Sequence, residues 1–101
     1  MWAQLIRAQL KPGTDLSTLA DVLKAAEQPG SGLLQEFFMH DQHDANSAYI
    51  LAVFESEEKA REREQDPRRA EGQQAIQELM AKVLAAPPEF TDLTVNTLFA
   101  P

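Results

Sequence analysis

The alternation of apolar and polar positions divides the chain into six segments. Residues 2–10 place Ile6, Ala8 and Leu10 on one side and Leu5, Arg7 and Gln9 on the other, which predicts a strand stopped by Lys11-Pro12-Gly13. Leu16, Leu19, Ala20, Leu23 and Ala26 then recur at helical spacing. Thr14 or Asp15 stands before them as a cap, since either side chain can accept from the unpaired N–H groups of a first helical turn. Gln28-Pro29-Gly30-Ser31-Gly32 closes this helix, because proline cannot continue it and glycine tolerates the turns that follow. A second strand is predicted over 33–41, with Leu33, Gln35, Phe37 and Met39 opposite Leu34, Glu36, Phe38 and His40. The polar stretch 42–47 reads as a hairpin connection.

The segment 48–54 differs from the others. Ala48 to Phe54 contains no polar group beyond the Tyr49 hydroxyl, so both of its faces are expected to be buried. Ser56 follows as a helix cap, with Glu57 and Glu58 where the helix dipole favours acids. Asp66-Pro67 interrupts the helical pattern, which resumes near Arg69 with the stripe Ala75, Ile76, Leu79, Met80 and Val83 and ends at Pro87-Pro88. A last strand, 89–98, sets Leu93, Val95 and Thr97 against Asp92, Thr94 and Asn96. The order β-α-β-β-α-β describes an α+β domain over residues 1–101, ferredoxin-like, with an antiparallel sheet. A chain this short covers one face of such a sheet with helices, and a second copy of the protein is expected on the other.

Charge and composition narrow the function classes. The net charge of -7, from 16 acidic and 9 basic residues, argues against nucleic acid or an anionic membrane as a partner. The one adjacent basic pair, Arg68-Arg69, lies between Asp66 and Glu71. The absence of cysteine removes disulfides, thiolate metal ligands and cysteine nucleophiles. No signal-like start and no bilayer-length apolar run are present, so a cytoplasmic location is expected.

Three stretches carry a family resemblance: the opening strand running into Lys11-Pro12-Gly13, Gln28-Pro29-Gly30 ahead of a strand, and Tyr49-Ile-Leu-Ala-Val-Phe-Glu-Ser-Glu-Glu58. Together they resemble the antibiotic biosynthesis monooxygenase-like proteins of the dimeric α/β-barrel group. The resemblance implies a homodimer whose two sheets pack face to face and enclose a pocket in each half. It also implies, as one outcome, monooxygenation of a small aromatic or quinol-type substrate with no cofactor. Other relatives degrade haem or have no assigned reaction. The Asn, Trp and His combination of the haem-degrading members is not found here, and the single tryptophan, Trp2, matches none of its positions.

With helices against the apolar strand faces, the opposite faces are expected to gather Arg7, Gln9, Glu36, Phe38, His40, Tyr49, Thr94 and Asn96. Phe38 and Tyr49 suit a planar ligand. His40 is the candidate base, since an unperturbed imidazole titrates near working pH, and Arg7 is the candidate partner of a developing oxyanion, oriented by Asn96 or Tyr49. The competing reading makes these groups satisfied interface residues, for example an Arg7–Glu36 pair. His40-Asp41-Gln42-His43-Asp44 contains ligand types for a metal but has no third motif to complete a site, and reads as a solvated turn. Gly30, Gly32 and Gly72 make no phosphate-binding pattern. Two functions follow: a cofactor-independent monooxygenase-like enzyme, or a non-catalytic dimer that binds a small molecule or serves as a stress-related accessory protein.

Overall fold

A computed structural model describes all 101 residues. Its elements are β1 (Trp2–Gln9), α1 (Leu16–Ala25), β2 (Leu33–Asp41), β3 (Asp44–Phe54), α2 (Glu57–Glu64), a single 3-10 turn (Pro67–Arg69), α3 (Ala70–Val83) and β4 (Glu89–Thr94). Local chemistry sets the helix starts. Ser17 N–H donates to Asp15 Oδ1 at 2.9 Å, and Lys59 N–H donates to Ser56 Oγ at 3.1 Å, each satisfying a donor that the first turn leaves free. At Asp66-Pro67 the Asp66 carboxylate accepts from Arg68 N–H at 2.9 Å, so the break between α2 and α3 carries its own cap.

The four strands form one antiparallel sheet in the order β2-β3-β1-β4, the ferredoxin-like arrangement. Directly paired residues share a face, so the register sorts every strand residue. Trp2, Ile6 and Ala8 lie opposite Phe54, Ile50 and Ala48 on the helix side. There Trp2, Ala52 and Phe54 pack with Ala60 of α2 and with Leu33, while Ala8, Leu10 and Ala48 pack with Leu16 and Leu84.

Two boundaries differ from those expected. The polar residues Asp44–Ser47 belong to β3, leaving Gln42 and His43 as the turn, because their backbone is held by neighbours: Ser47 pairs with Gln9, and Leu10 N–H donates to Asn46 O at 2.7 Å. β4 ends at Thr94, opposite Trp2, and Asn96 lies beyond it. The expected burial of both faces of 48–54 holds for one face within the chain. Ala48, Ile50, Ala52 and Phe54 are buried, whereas Tyr49, Leu51 and Val53 are half-buried. No helix is long and apolar enough to cross a membrane.

α1 and α3 approach closely where Gly72 meets Ala26. A Cβ at position 72 would lie 2.6 Å from Ala26 Cβ and 2.9 Å from its Cα. Alanine is favoured over glycine inside a helix by about 1 kcal/mol, but this contact includes backbone and cannot be relieved by a rotamer change. Gly72→Ala is therefore expected to destabilise the fold by about 1–2 kcal/mol, measured by urea unfolding. A stabilised variant would mean that the helices separate freely.

Candidate functional site

The face of the sheet away from the helices is open and apolar. Leu34, Phe37, Met39 and Leu93 are 48, 44, 40 and 38% exposed. A cavity of about 670 Å³ lies on this face. Its floor is Ala3 of β1 with Leu51 and Val53 of β3; Leu34, Gln35 and Phe37 of β2 form one wall, and Leu93, Thr94, Val95 and Leu98 the other, with Met1 at the end. A smaller hollow of 370 Å³ beside Met80, Leu84 and Pro88 is lined by no charged or hydrogen-bonding side chain.

The residues expected at the site are divided by the register. Arg7, Gln9 and Tyr49 do lie on the open face. Arg7 stands opposite Tyr49 on one side and Glu89 on the other, with its guanidinium 6.0 Å from the Tyr49 ring centre. They form a polar end two residues along the ladder from the Leu5–Leu51 row, about 7 Å away at 3.3–3.4 Å per residue. Arg7 and Gln9 line a separate hollow of 190 Å³ beside Ala86 and Glu89.

Glu36, Phe38 and His40 fall on the other face. They pair with Ala52, Ile50 and Ala48, all helix-side residues, so the expected grouping of these three with Arg7 is corrected, and an Arg7–Glu36 pair cannot form across the sheet. Thr94 pairs with Trp2, which gives its side chain the helix side although the residue belongs to one wall of the cavity. The cause in β2 is a bulge. Leu33 pairs with Phe54 but Gln35 pairs with Val53, leaving Leu34 as an extra residue. Leu33 therefore joins the core beneath the helices, while Leu34 and Gln35 both line the cavity. Of the eight residues expected, only Thr94 touches the large cavity; sequence reasoning missed the rest of its lining, Leu34, Gln35, Phe37, Leu51 and Val53 among them.

Glu36 belongs instead to a charged cluster under the helices. Arg63 clasps Glu27 with Nε and Nη2, the shortest contact being 2.7 Å, and lies 5.3 Å from the Phe54 ring centre. Arg69 is buried, with Nη1 3.8 Å from Glu27 Oε2. Burial pushes the Glu27 carboxyl up, but hydrogen bonds from Arg63 and Ser31 and the charges of Arg63 and Arg69 outweigh it and hold the group below its ordinary range. Burial raises Glu36, and the more distant charges of Arg63 and Arg69 do not compensate.

These opposite directions have opposite consequences for stability. Glu36 binds its proton more tightly in the folded state, so its contribution is full below the ordinary value of 4.5 and is lost as pH rises through the folded value. Glu27 contributes above the ordinary range and loses that contribution as pH falls through its folded value. Glu36→Gln is accordingly expected to raise stability at pH 7 by up to about 1 kcal/mol, with the gain fading as the pH approaches 4.5. Thermal melts across that range check it; a pH-independent difference would assign the effect to packing.

No family model matches the sequence, and no curated protein matches it either. Solved structures do match over nearly the whole chain. A variant of SnoaB, a cofactor-independent oxygenase from Streptomyces nogalater, superimposes with a TM-score of 0.71 at 13% identity, covering 99% of this chain and 97% of that one. A protein of unknown function from Nitrosomonas europaea gives 0.70 at 20% identity, with 99 and 93% covered. Another structure, described as an antibiotic biosynthesis monooxygenase, gives 0.68 at 9% identity, with 96 and 100% covered. The fold is that of the antibiotic biosynthesis monooxygenase-like proteins, as the resemblance implied. At these identities the likeness is one of fold.

Proposed function

We propose that the protein is a homodimer closed through the open faces of two sheets, and that each half holds a small aromatic or quinol-type molecule in the cavity so enclosed. The observation that carries this is the apolar open face itself. Leu34, Phe37 and Met39 on β2 and Leu93 on β4 are exposed on either side of Ala3, Leu51 and Val53, an apolar surface of the kind that marks an interface, and it holds a cavity of about 670 Å³, within the usual size of a small-molecule site. The chemistry proposed is monooxygenation without a cofactor, by analogy with the fold shared with SnoaB. In such a step one oxygen of O2 enters the substrate, the other leaves as water, and the substrate supplies the electrons. Arg7 with Tyr49, at the polar end of the same face, is the group proposed to stabilise a developing phenolate.

A second reading, non-catalytic binding, is favoured by one observation: the residues lining the cavity include no histidine and no carboxylate, and His40 faces the helix side. Native mass spectrometry of the purified protein, followed by oxygen-electrode measurements with 1,4-naphthohydroquinone, separates the readings. Protein-dependent oxygen uptake above autoxidation, reduced about tenfold or more in Arg7→Gln, supports the oxygenase. A dimer that binds without oxygen uptake supports the binding protein, and a monomer overturns both.

A further inference from the structure

The β2 bulge does more than reverse the strand's faces. It brings two consecutive side chains, Leu34 and Gln35, to the same cavity wall, which a regular strand cannot do because neighbours alternate. Bulges recur beside functional sites for this reason: they re-aim one side chain at the expense of a ladder position. The side chain re-aimed here is the polar one. Gln35 is exposed, its amide makes no hydrogen bond within the chain, and the surrounding lining is Leu34, Phe37, Val53 and Leu93 with no charged side chain. The other polar lining residue, Thr94, takes the face of its partner Trp2. A carboxamide can donate and accept, so in an otherwise apolar cavity it provides the one direction-setting contact.

We propose that Gln35 is the specificity-determining residue of this cavity, and that its ligand is an uncharged, largely apolar molecule whose carbonyl or hydroxyl hydrogen-bonds the Gln35 amide. The inference rests on the cavity proposed above as the binding site. An acid is disfavoured because a carboxylate held at Gln35 would lose water with no cation in the lining to replace it; Arg7, at the polar end of the face, stands four ladder positions from Ala3 in the Gln35–Val53 row. A plain hydrocarbon would leave the amide unpaired once the cavity closes, a loss that a neutral polar group avoids.

Three probes with one aromatic body test this: naphthalene, 2-acetylnaphthalene and 2-naphthoate, titrated into the full-length protein by ligand-observed NMR. The ketone is expected to bind about 3–10-fold more tightly than naphthalene, and the carboxylate more weakly than either. Gln35→Met, similar in shape but without the amide, is expected to bind ketone and hydrocarbon equally. Thr94→Val is expected to keep the preference. A wild-type protein without ketone preference, or a Gln35→Met variant that retains it, overturns the role of Gln35 while leaving the cavity intact. Tighter binding of the carboxylate than of the ketone overturns the uncharged class. Failure of all three probes to bind the folded protein overturns the cavity itself as the site.

Discussion

In the homodimer proposed above, the Leu51→Arg variant is expected to be a folded monomer at concentrations where the unaltered chain pairs. Leu51 sits mid-strand on the open face, between Leu5 and Phe37, and lines the cavity floor. In a single chain an arginine there remains in water and costs little. Between two apolar sheets it would be an uncompensated buried charge, a penalty of at least about 3 kcal/mol, or more than a hundredfold in the dimer dissociation constant. Native mass spectrometry across a dilution series reads the change directly, and circular dichroism confirms that the fold is kept. A Leu51→Arg dimer of unchanged affinity would place the interface elsewhere and remove the basis for an enclosed pocket.

One residue earlier the outcome inverts. Ile50→Ala is expected to destabilise the protein by about 3–4 kcal/mol without touching the proposed dimer contact. Ile50 is fully buried on the helix side, between Ile6 and Phe38, where the packing cannot close over the lost methylenes. Small domains have only about 5–15 kcal/mol of stability, so a loss of this size should be plain in urea unfolding at fixed protein concentration. A cost below about 1 kcal/mol would mean that the helices settle onto the sheet and the core is looser than its burial indicates. Adjacent residues of one apolar run thus fail in different ways, because a strand sends neighbours to opposite faces.

The element order, a cap at Thr14 or Asp15, the cap at Ser56 and the break at Asp66-Pro67 were legible because each rests on chemistry between residues close in sequence; the structure settles the first cap as Asp15. Faces depend on longer-range facts. In β1 and β3 the alternation is regular, so Arg7, Gln9 and Tyr49 were placed correctly from their spacing alone. In β2, Leu33 was assigned to the helix side and lies there, but one extra residue at the bulge turns everything after it over, which moved Glu36, Phe38 and His40 off the open face. The clue was faint: residues 33–39 read as an apolar pair, a polar pair and an apolar triplet, so the apolar pattern favoured neither register over the other. In β4 the error was of another kind. Apolar residues were assumed to seek the helices, whereas Leu93 pairs with Ala3 on a face that is itself apolar.

The single tryptophan lies on the side of the sheet opposite the cavity, packed at 5.9 Å against Phe54 and covered by Arg61, whose guanidinium is 5.1 Å from the indole and also bonds Glu57, Glu64 and Asp92. Its emission wavelength therefore reports the docking of α2 and β4 around it, while a chromophore seated across the sheet can dim that emission through space without shifting its colour. Colour and brightness of one native fluorophore thus separate loss of structure from occupancy of the cavity.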